Sequence, residues 1–148
     1  MIINLIVGST NLVGLYYILC YKTNLHQSLQ IIFPMCASIL YHLADTNHGL
    51  DGLYPLNIYS NQLLFVDRFF AIISGITCLY KLAYIKNPTQ TNVFTYGLVG
   101  LVGLVCLIIS ERDMVSQGFT VGKYEFLFFH SLWHIIAFNI LCLITINH

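Results

Sequence analysis

The feature that most constrains this 148-residue sequence is a series of five long, mostly apolar runs separated by short polar segments. A membrane-crossing helix needs ~20 predominantly apolar residues, with a range of ~17 to 25. All five runs approach this length, the second only marginally. Because lipid offers no water to satisfy backbone polar groups, a helix is the default structure for such a run. The predicted helices cover about 2–21, 28–44, 62–85, 92–110 and 123–146.

Composition agrees with a lipid environment. Hydrophobic residues make up 57% of the chain and charged residues only 8%, with a mean hydropathy of +0.76, whereas ordinary soluble domains carry about 25% charged residues. We therefore predict an all-α integral membrane protein, a bundle of about five transmembrane helices forming one domain over residues 1–148. The formal net charge is zero and no basic patch is present, which argues against a nucleic-acid partner.

Several smaller features refine this prediction. The first run has no basic residue before it and no small-residue cleavage site after it, so it is interpreted as a membrane helix and not a signal peptide. Pro34 interrupts the second run and predicts a kink. Gly97, Gly100 and Gly103 form a small-residue stripe that favours close helix packing. The five cysteines lack CxxC spacing and are interpreted as small buried hydrophobic residues.

Lysine and arginine in the connecting segments predict the orientation. The predicted face that holds the C-terminus carries three basic residues, Lys22, Lys81 and Lys86. The opposite face carries two, Arg112 and Lys123. This margin favours an N-terminus outside and a C-terminus in the cytoplasm. Which membrane holds the protein stays open.

Ionisable residues within the predicted helices are the strongest functional signal, because such groups are expensive in a membrane. They are His42, Asp67, Arg68, His130 and His134, with Glu125 at the mouth of the last helix. His42 lies near the end of the second helix, and Asp67 lies about one turn into the third. His130 and His134 lie about 9 and 15 Å into the fifth, at ~1.5 Å per residue. An up-and-down topology therefore places all four groups in one layer, on the N-terminal side.

The spacing within this layer suggests metal chemistry. His130 and His134 are four residues apart, so they share one helical face, and Ser38 and His42 have the same relationship. Three histidines with one open position describe a catalytic zinc site, in which the ion makes water acidic enough to supply hydroxide at neutral pH. Asp67 could orient a ligand or accept the proton of that water. Ser38 could hydrogen-bond the water or the developing oxyanion.

Each residue also has a purely structural interpretation. A membrane histidine often serves as an interhelical hydrogen-bonding group. Asp67 could simply pair with Arg68 or Lys123, and Ser38 could bond its own backbone. The remaining histidines, at positions 26, 48 and 148, are interpreted as solvated loop or tail residues.

The pattern resembles a known group. "SILYH" over 38–42, Asp67 in "FVDRFF" and "HSLWH" over 130–134 are similar to the signature of the CREST superfamily of membrane hydrolases, which includes alkaline ceramidases, adiponectin-type receptors and myomaker-like proteins. "YHLAD" followed by "LLFVDRFFAI" is most similar to the myomaker-like branch. The resemblance implies zinc ligation by His42, His130 and His134, support from Ser38 and Asp67, and hydrolysis of an amide or ester in a membrane lipid.

The chain departs from this family in length. The family normally has seven helices, and this chain has room for five, so it would be a shortened form lacking two walls of the substrate cavity. A second copy could close the cavity, the site could open to lipid, or activity could have been lost. Two alternatives to a zinc-dependent lipid hydrolase therefore stay open: a non-enzymatic receptor or fusion-type protein with a structural zinc, and a helical scaffold without metal.

Overall fold

The helices follow the predicted order. The computed structural model describes residues 1–47, 50–84, 90–111 and 122–147, with only the backbone of residues 90–93 and 147. These described ranges contain no β-strand. The helices are α1 (Ile2–Thr10), α2 (Val13–Cys20), α3 (Leu25–Ala44), α4 (Ser60–Ala83), α5 (Gln90–Ser110) and α6 (Lys123–Asn147), with a short 3-10 helix at Leu56–Tyr59 before α4.

The first predicted helix, 2–21, is interrupted. Asn11 and Leu12 separate α1 from α2, but both keep right-handed helical backbone angles, so Ile2–Cys20 remains one span of 19 residues. The interruption has a local cause, because the Asn11 side-chain amide donates a hydrogen bond to the Gly8 carbonyl at 3.2 Å. Asparagine side chains compete in this way with the helical hydrogen-bond ladder. The predicted first span is therefore present, with a local interruption at Asn11.

The predicted second helix, 28–44, corresponds to α3, which begins three residues earlier than predicted. A capping box explains this, since the Asn24 side chain accepts a hydrogen bond from the Gln27 backbone N–H at 2.9 Å, and the Gln27 side chain accepts one from the Asn24 N–H at 3.0 Å. The helix then continues through Pro34. Within the described residues, three helices are long and apolar enough to cross a membrane: Ile2–Cys20, Leu56–Ala83 and Lys123–Ile146.

The helices form an up-and-down bundle in which α6 contacts every other helix. Two apolar clusters mark its ends: Val7, Leu50 and Phe126 pack together near the N-terminus, and Tyr17, Ile31 and Cys142 pack together at the opposite end. In the described part of the chain, α4 and α5 both lie on α6 with little contact between each other. Their outward faces expose large apolar side chains, as expected for surfaces in contact with lipid.

The predicted glycine stripe on α5 has one close packing position. A Cβ atom added to Gly103 would lie 2.8 Å from Cγ2 of Ile136 on α6, so the absence of a side chain permits this approach. At Gly100 the nearest contact would be 3.7 Å, and at Gly97 none lies within 4 Å. The prediction of close packing is therefore correct for the end of the stripe that faces α6.

Candidate metal centre

Three buried imidazoles meet where α3 crosses α6. His42 on α3 and His130 and His134 on α6 have at most 4% of their surface exposed. Their ring centroids are 4.7 to 4.8 Å apart in all three pairs. One ring nitrogen from each residue lies within 4.8 Å of the corresponding nitrogens of the other two, so the group could bind a metal ion. The predicted convergence of these three histidines is therefore confirmed.

His134 is oriented by a contact with the first span. Its Nδ1 atom makes a short hydrogen bond with Oδ1 of Asn11, and the hydroxyl of Ser38 lies 3.5 Å from the same nitrogen. Because a carbonyl oxygen can only accept, Nδ1 of His134 carries the proton. Nε2 is therefore the unprotonated nitrogen of this ring, and it faces Nε2 of His42 at 3.1 Å.

His130 is oriented in the same way by the end of α5. Its Nδ1 atom lies 3.0 Å from the hydroxyl oxygen of Ser110 and 3.2 Å from Oε1 of Glu111. The Ser110 hydroxyl already donates to the Leu107 carbonyl at 2.9 Å, so its oxygen accepts from His130. Two acceptors beside Nδ1 of His130 place the proton on that nitrogen. Nε2 of His130 is then the nitrogen that can bind a metal ion.

This donor set fits a metal ion. Tetrahedral coordination with bonds of about 2.0 to 2.1 Å places ligand nitrogens roughly 3.3 to 3.4 Å apart, close to the observed 3.1 Å between His42 and His134. The contributing ring nitrogens of all three residues lie within 4.8 Å of one another. Neutral imidazoles held by a hydrogen bond at the other ring nitrogen are typical of metal ligands. Imidazole suits zinc, copper, iron and nickel, so the donor set alone does not select the metal.

The two predicted supporting residues lie beside the imidazoles. Ser38 is one turn before His42 on α3 and is also buried. Asp67 on α4 interacts with the Ser38 hydroxyl and lies within electrostatic range of His130. Three helices thus bring all five predicted site residues to one region, at the end of the bundle that contains the N-terminus. Their catalytic roles stay predictions.

Apolar and aromatic residues enclose the group. The Phe126 ring stacks on His130 with centroids 4.8 Å apart, and Phe138 stacks below His134 at 6.4 Å. Gly8 lies against His42, because an added Cβ atom would be 3.7 Å from the histidine Cβ. Low exposure to water strengthens every electrostatic interaction within the group.

Sequence reasoning missed three residues of this site: Asn11, Ser110 and Glu111. Asn11 had a usable signal, since a buried amide in the middle of an apolar run needs a polar partner. Glu111 gave no such signal, because it lies one residue beyond the predicted end of the fourth helix, in a polar connecting segment. The sequence therefore does not indicate that Asn11 contacts His134 or that Glu111 contacts His130.

The other predicted polar residues lie elsewhere. Arg68 approaches Glu111, with 3.9 Å between the guanidinium and carboxylate, and Asp67 interacts with Ser38. His26 lies in the first turn of α3, on the exterior, and hydrogen-bonds Gln30 at 2.9 Å. The histidines at positions 48 and 148 and the basic residue at position 112 fall outside the described residues.

Comparison with known proteins leaves the family open. No protein-family model matches the chain, and neither a curated protein nor a solved structure matches it.

Proposed function

We propose that this protein is an integral membrane hydrolase that uses zinc to cleave an amide or ester bond in a lipid. The observation that carries the proposal is the convergence of three buried imidazoles, two of which have Nδ1 committed to oxygen acceptors. Three protein ligands leave one coordination position for water or substrate, which is typical of catalytic zinc and not of closed structural sites.

In this proposal the three histidines and the two residues beside them have separate roles. His42, His130 and His134 hold the ion, which when bound supplies Lewis-acid activation of a water molecule. The Asp67 carboxylate would accept a proton from the water that attacks the acyl carbon. Ser38 donates a hydrogen bond to the carbonyl oxygen as that atom gains negative charge. Asp67 then returns the proton to the leaving nitrogen or oxygen when the acyl bond breaks.

A lipid is the proposed substrate because three of the helices that contribute residues to the site, Ile2–Cys20, Leu56–Ala83 and Lys123–Ile146, are long and apolar enough to cross a membrane. We propose five crossings, with the N-terminus outside and the C-terminus cytoplasmic. Both the site and the resemblance to the CREST superfamily favour hydrolysis of an amide or ester bond. The side of the bundle where α4 and α5 lie apart on α6 is where a lipid enters or a second copy of the chain completes the cavity.

The experiment measures metal content and lipid cleavage on the same purified protein in lipid nanodiscs. Wild type is expected to contain about one zinc per chain and to release fatty acid from a mixture of amide and ester lipids, detected by mass spectrometry. His134→Ala should lose both properties. Asp67→Asn should keep the zinc and lose cleavage, because the carboxylate is not a ligand. His26→Ala is the matched control, since this histidine lies on the exterior, and both properties should be unchanged.

Three results would reject the proposal. Zinc-loaded wild type that cleaves no lipid would favour the receptor or fusion-type protein with a structural zinc. Washed wild type without zinc, and unable to take it up, would favour the metal-free scaffold. Undiminished cleavage by His130→Ala, His134→Ala would show that any hydrolysis occurs elsewhere.

A further inference from the structure

We infer that Asn11 is a positioning residue that holds His134 in the tautomer and orientation required for metal binding. This inference rests on the proposed metal site and adds a residue of the first span to it. Asn11 has no exposed surface, although it lies in the middle of an apolar span. A buried amide in such a place requires hydrogen-bond partners for both of its ends.

The Asn11 side chain finds both partners. Its Nδ2 group donates to the Gly8 carbonyl at 3.2 Å, and its Oδ1 atom accepts from Nδ1 of His134. Rotating the amide by 180° would set Oδ1 against the Gly8 carbonyl, and two acceptors repel each other. Gly8 therefore fixes which end of the amide faces the imidazole.

The amide orientation determines which His134 nitrogen can bind metal. With Nδ1 holding the proton for Asn11, the lone pair of Nε2 points toward Nε2 of His42, 3.1 Å away. The opposite tautomer would place an N–H group there and block coordination. Asn11 thus selects the ligand atom of His134 without contacting the ion, in the manner of outer-shell partners in known metal sites.

The interruption between α1 and α2 serves this contact. The Asn11 backbone N–H bonds the same Gly8 carbonyl at 3.2 Å, which forms a tight turn and anchors the side chain at its base. Gly8 lies against His42 in the same turn, since an added Cβ would be 3.7 Å from the histidine Cβ. One turn of the first span therefore contacts two of the three ligand residues.

The test compares three variants by zinc affinity, measured by competition with a chromophoric chelator. Asn11→Leu preserves the side-chain shape and removes the acceptor, so zinc affinity should fall by about 10- to 100-fold. Asn11→Asp keeps an acceptor for Nδ1 of His134 but sets its second oxygen against the Gly8 carbonyl, so its zinc affinity should lie between those of Asn11→Leu and wild type. Asn139→Leu is the matched control, because it removes an interhelical hydrogen bond between the same span and α6, from the Tyr17 hydroxyl at 2.8 Å. Its zinc affinity should equal that of wild type.

A second measurement does not depend on metal binding or on lipid cleavage. Nitrogen-15 NMR of metal-free protein reports the tautomer of His134, which should carry its proton on Nδ1 in wild type and lose this preference in Asn11→Leu. An Nε2-protonated His134 in wild type would overturn the inference, as would equal zinc affinities for Asn11→Leu and Asn139→Leu. Failure to cleave lipid, with these results intact, would reject only the proposed hydrolase.

Discussion

The Nε2 atoms of His42 and His134 lie 3.1 Å apart although 92 positions separate them in the chain. Two ring nitrogens at this distance need a proton or a cation between them, because two lone pairs would repel each other. His134 keeps its own proton on Nδ1 for Asn11, so in the metal-free protein His42 must supply the N–H. A metal ion bound by these residues would require that proton to leave Nε2 of His42, and the ion would then link α3 to α6.

Metal removal should therefore destabilise the folded protein. A ligand that binds only the folded state stabilises it by about 2.7 kcal/mol when its free concentration is 100-fold above Kd. We expect zinc to raise the thermal midpoint of detergent-solubilised wild type and a zinc chelator to lower it. His134→Ala supplies the comparison, since its midpoint should respond to neither treatment. Equal responses in the two proteins would place the stabilising ion elsewhere.

Replacing Glu111 should weaken metal binding through His130. The carboxylate lies 3.2 Å from Nδ1 of this ring and increases its basicity as a ligand. Glu111→Ala should lower zinc affinity by about 10-fold, at the lower end of such effects because Ser110 remains as an acceptor. Glu125→Ala is the control, because Glu125 is an exposed acid that accepts from the Gly122 N–H. A similar loss in both variants would indicate a general effect of removing negative charge.

The packing of α5 on α6 should depend on one glycine of the stripe. Gly103→Ala places a methyl group 2.8 Å from Cγ2 of Ile136, so we expect a destabilisation of about 1 to 3 kcal/mol by overpacking. Gly97→Ala meets nothing within 4 Å and should be neutral or stabilising by up to about 1 kcal/mol, since alanine favours helix. Thermal midpoints test both, and Trp133, the single tryptophan, provides a local fluorescence signal beside Gly103.

The predicted orientation can be tested with a reporter at each end of the chain. Three basic residues on the C-terminal face against two on the other favour a cytoplasmic C-terminus. A C-terminal reporter that is active only in the cytoplasm should function, and the same reporter at the N-terminus should not. The reverse pattern would place the imidazole layer in the cytoplasmic half of the membrane.

The predictable part of this fold came from long-range regularities in the chain. Apolar runs of membrane length give helices whatever their neighbours are, because the backbone must satisfy its own hydrogen bonds in lipid. Alternating helix direction then placed His42, Asp67, His130 and His134 in one layer. Helix ends were less predictable, since Asn24 and Gln27 form a cap that moves the start of α3 by three residues.

The outer partners of the histidines could not be derived in this way. Nothing along the chain indicates that Asn11 faces His134 or that Glu111 reaches His130, because both contacts depend on how helices rotate and tilt against each other. Those angles follow from side-chain packing across interfaces, such as the approach of Ile136 to Gly103.

By itself, the sequence determined a helical chain suited to lipid and the depth of three imidazoles along their helices, because backbone hydrogen bonding and helical rise act locally. Only the tertiary structure decided that the three rings meet, which nitrogen of His130 and of His134 faces the others, and which side of the bundle is open. Those properties depend on the packing of helices that are distant in the chain, and local periodicity does not contain that information.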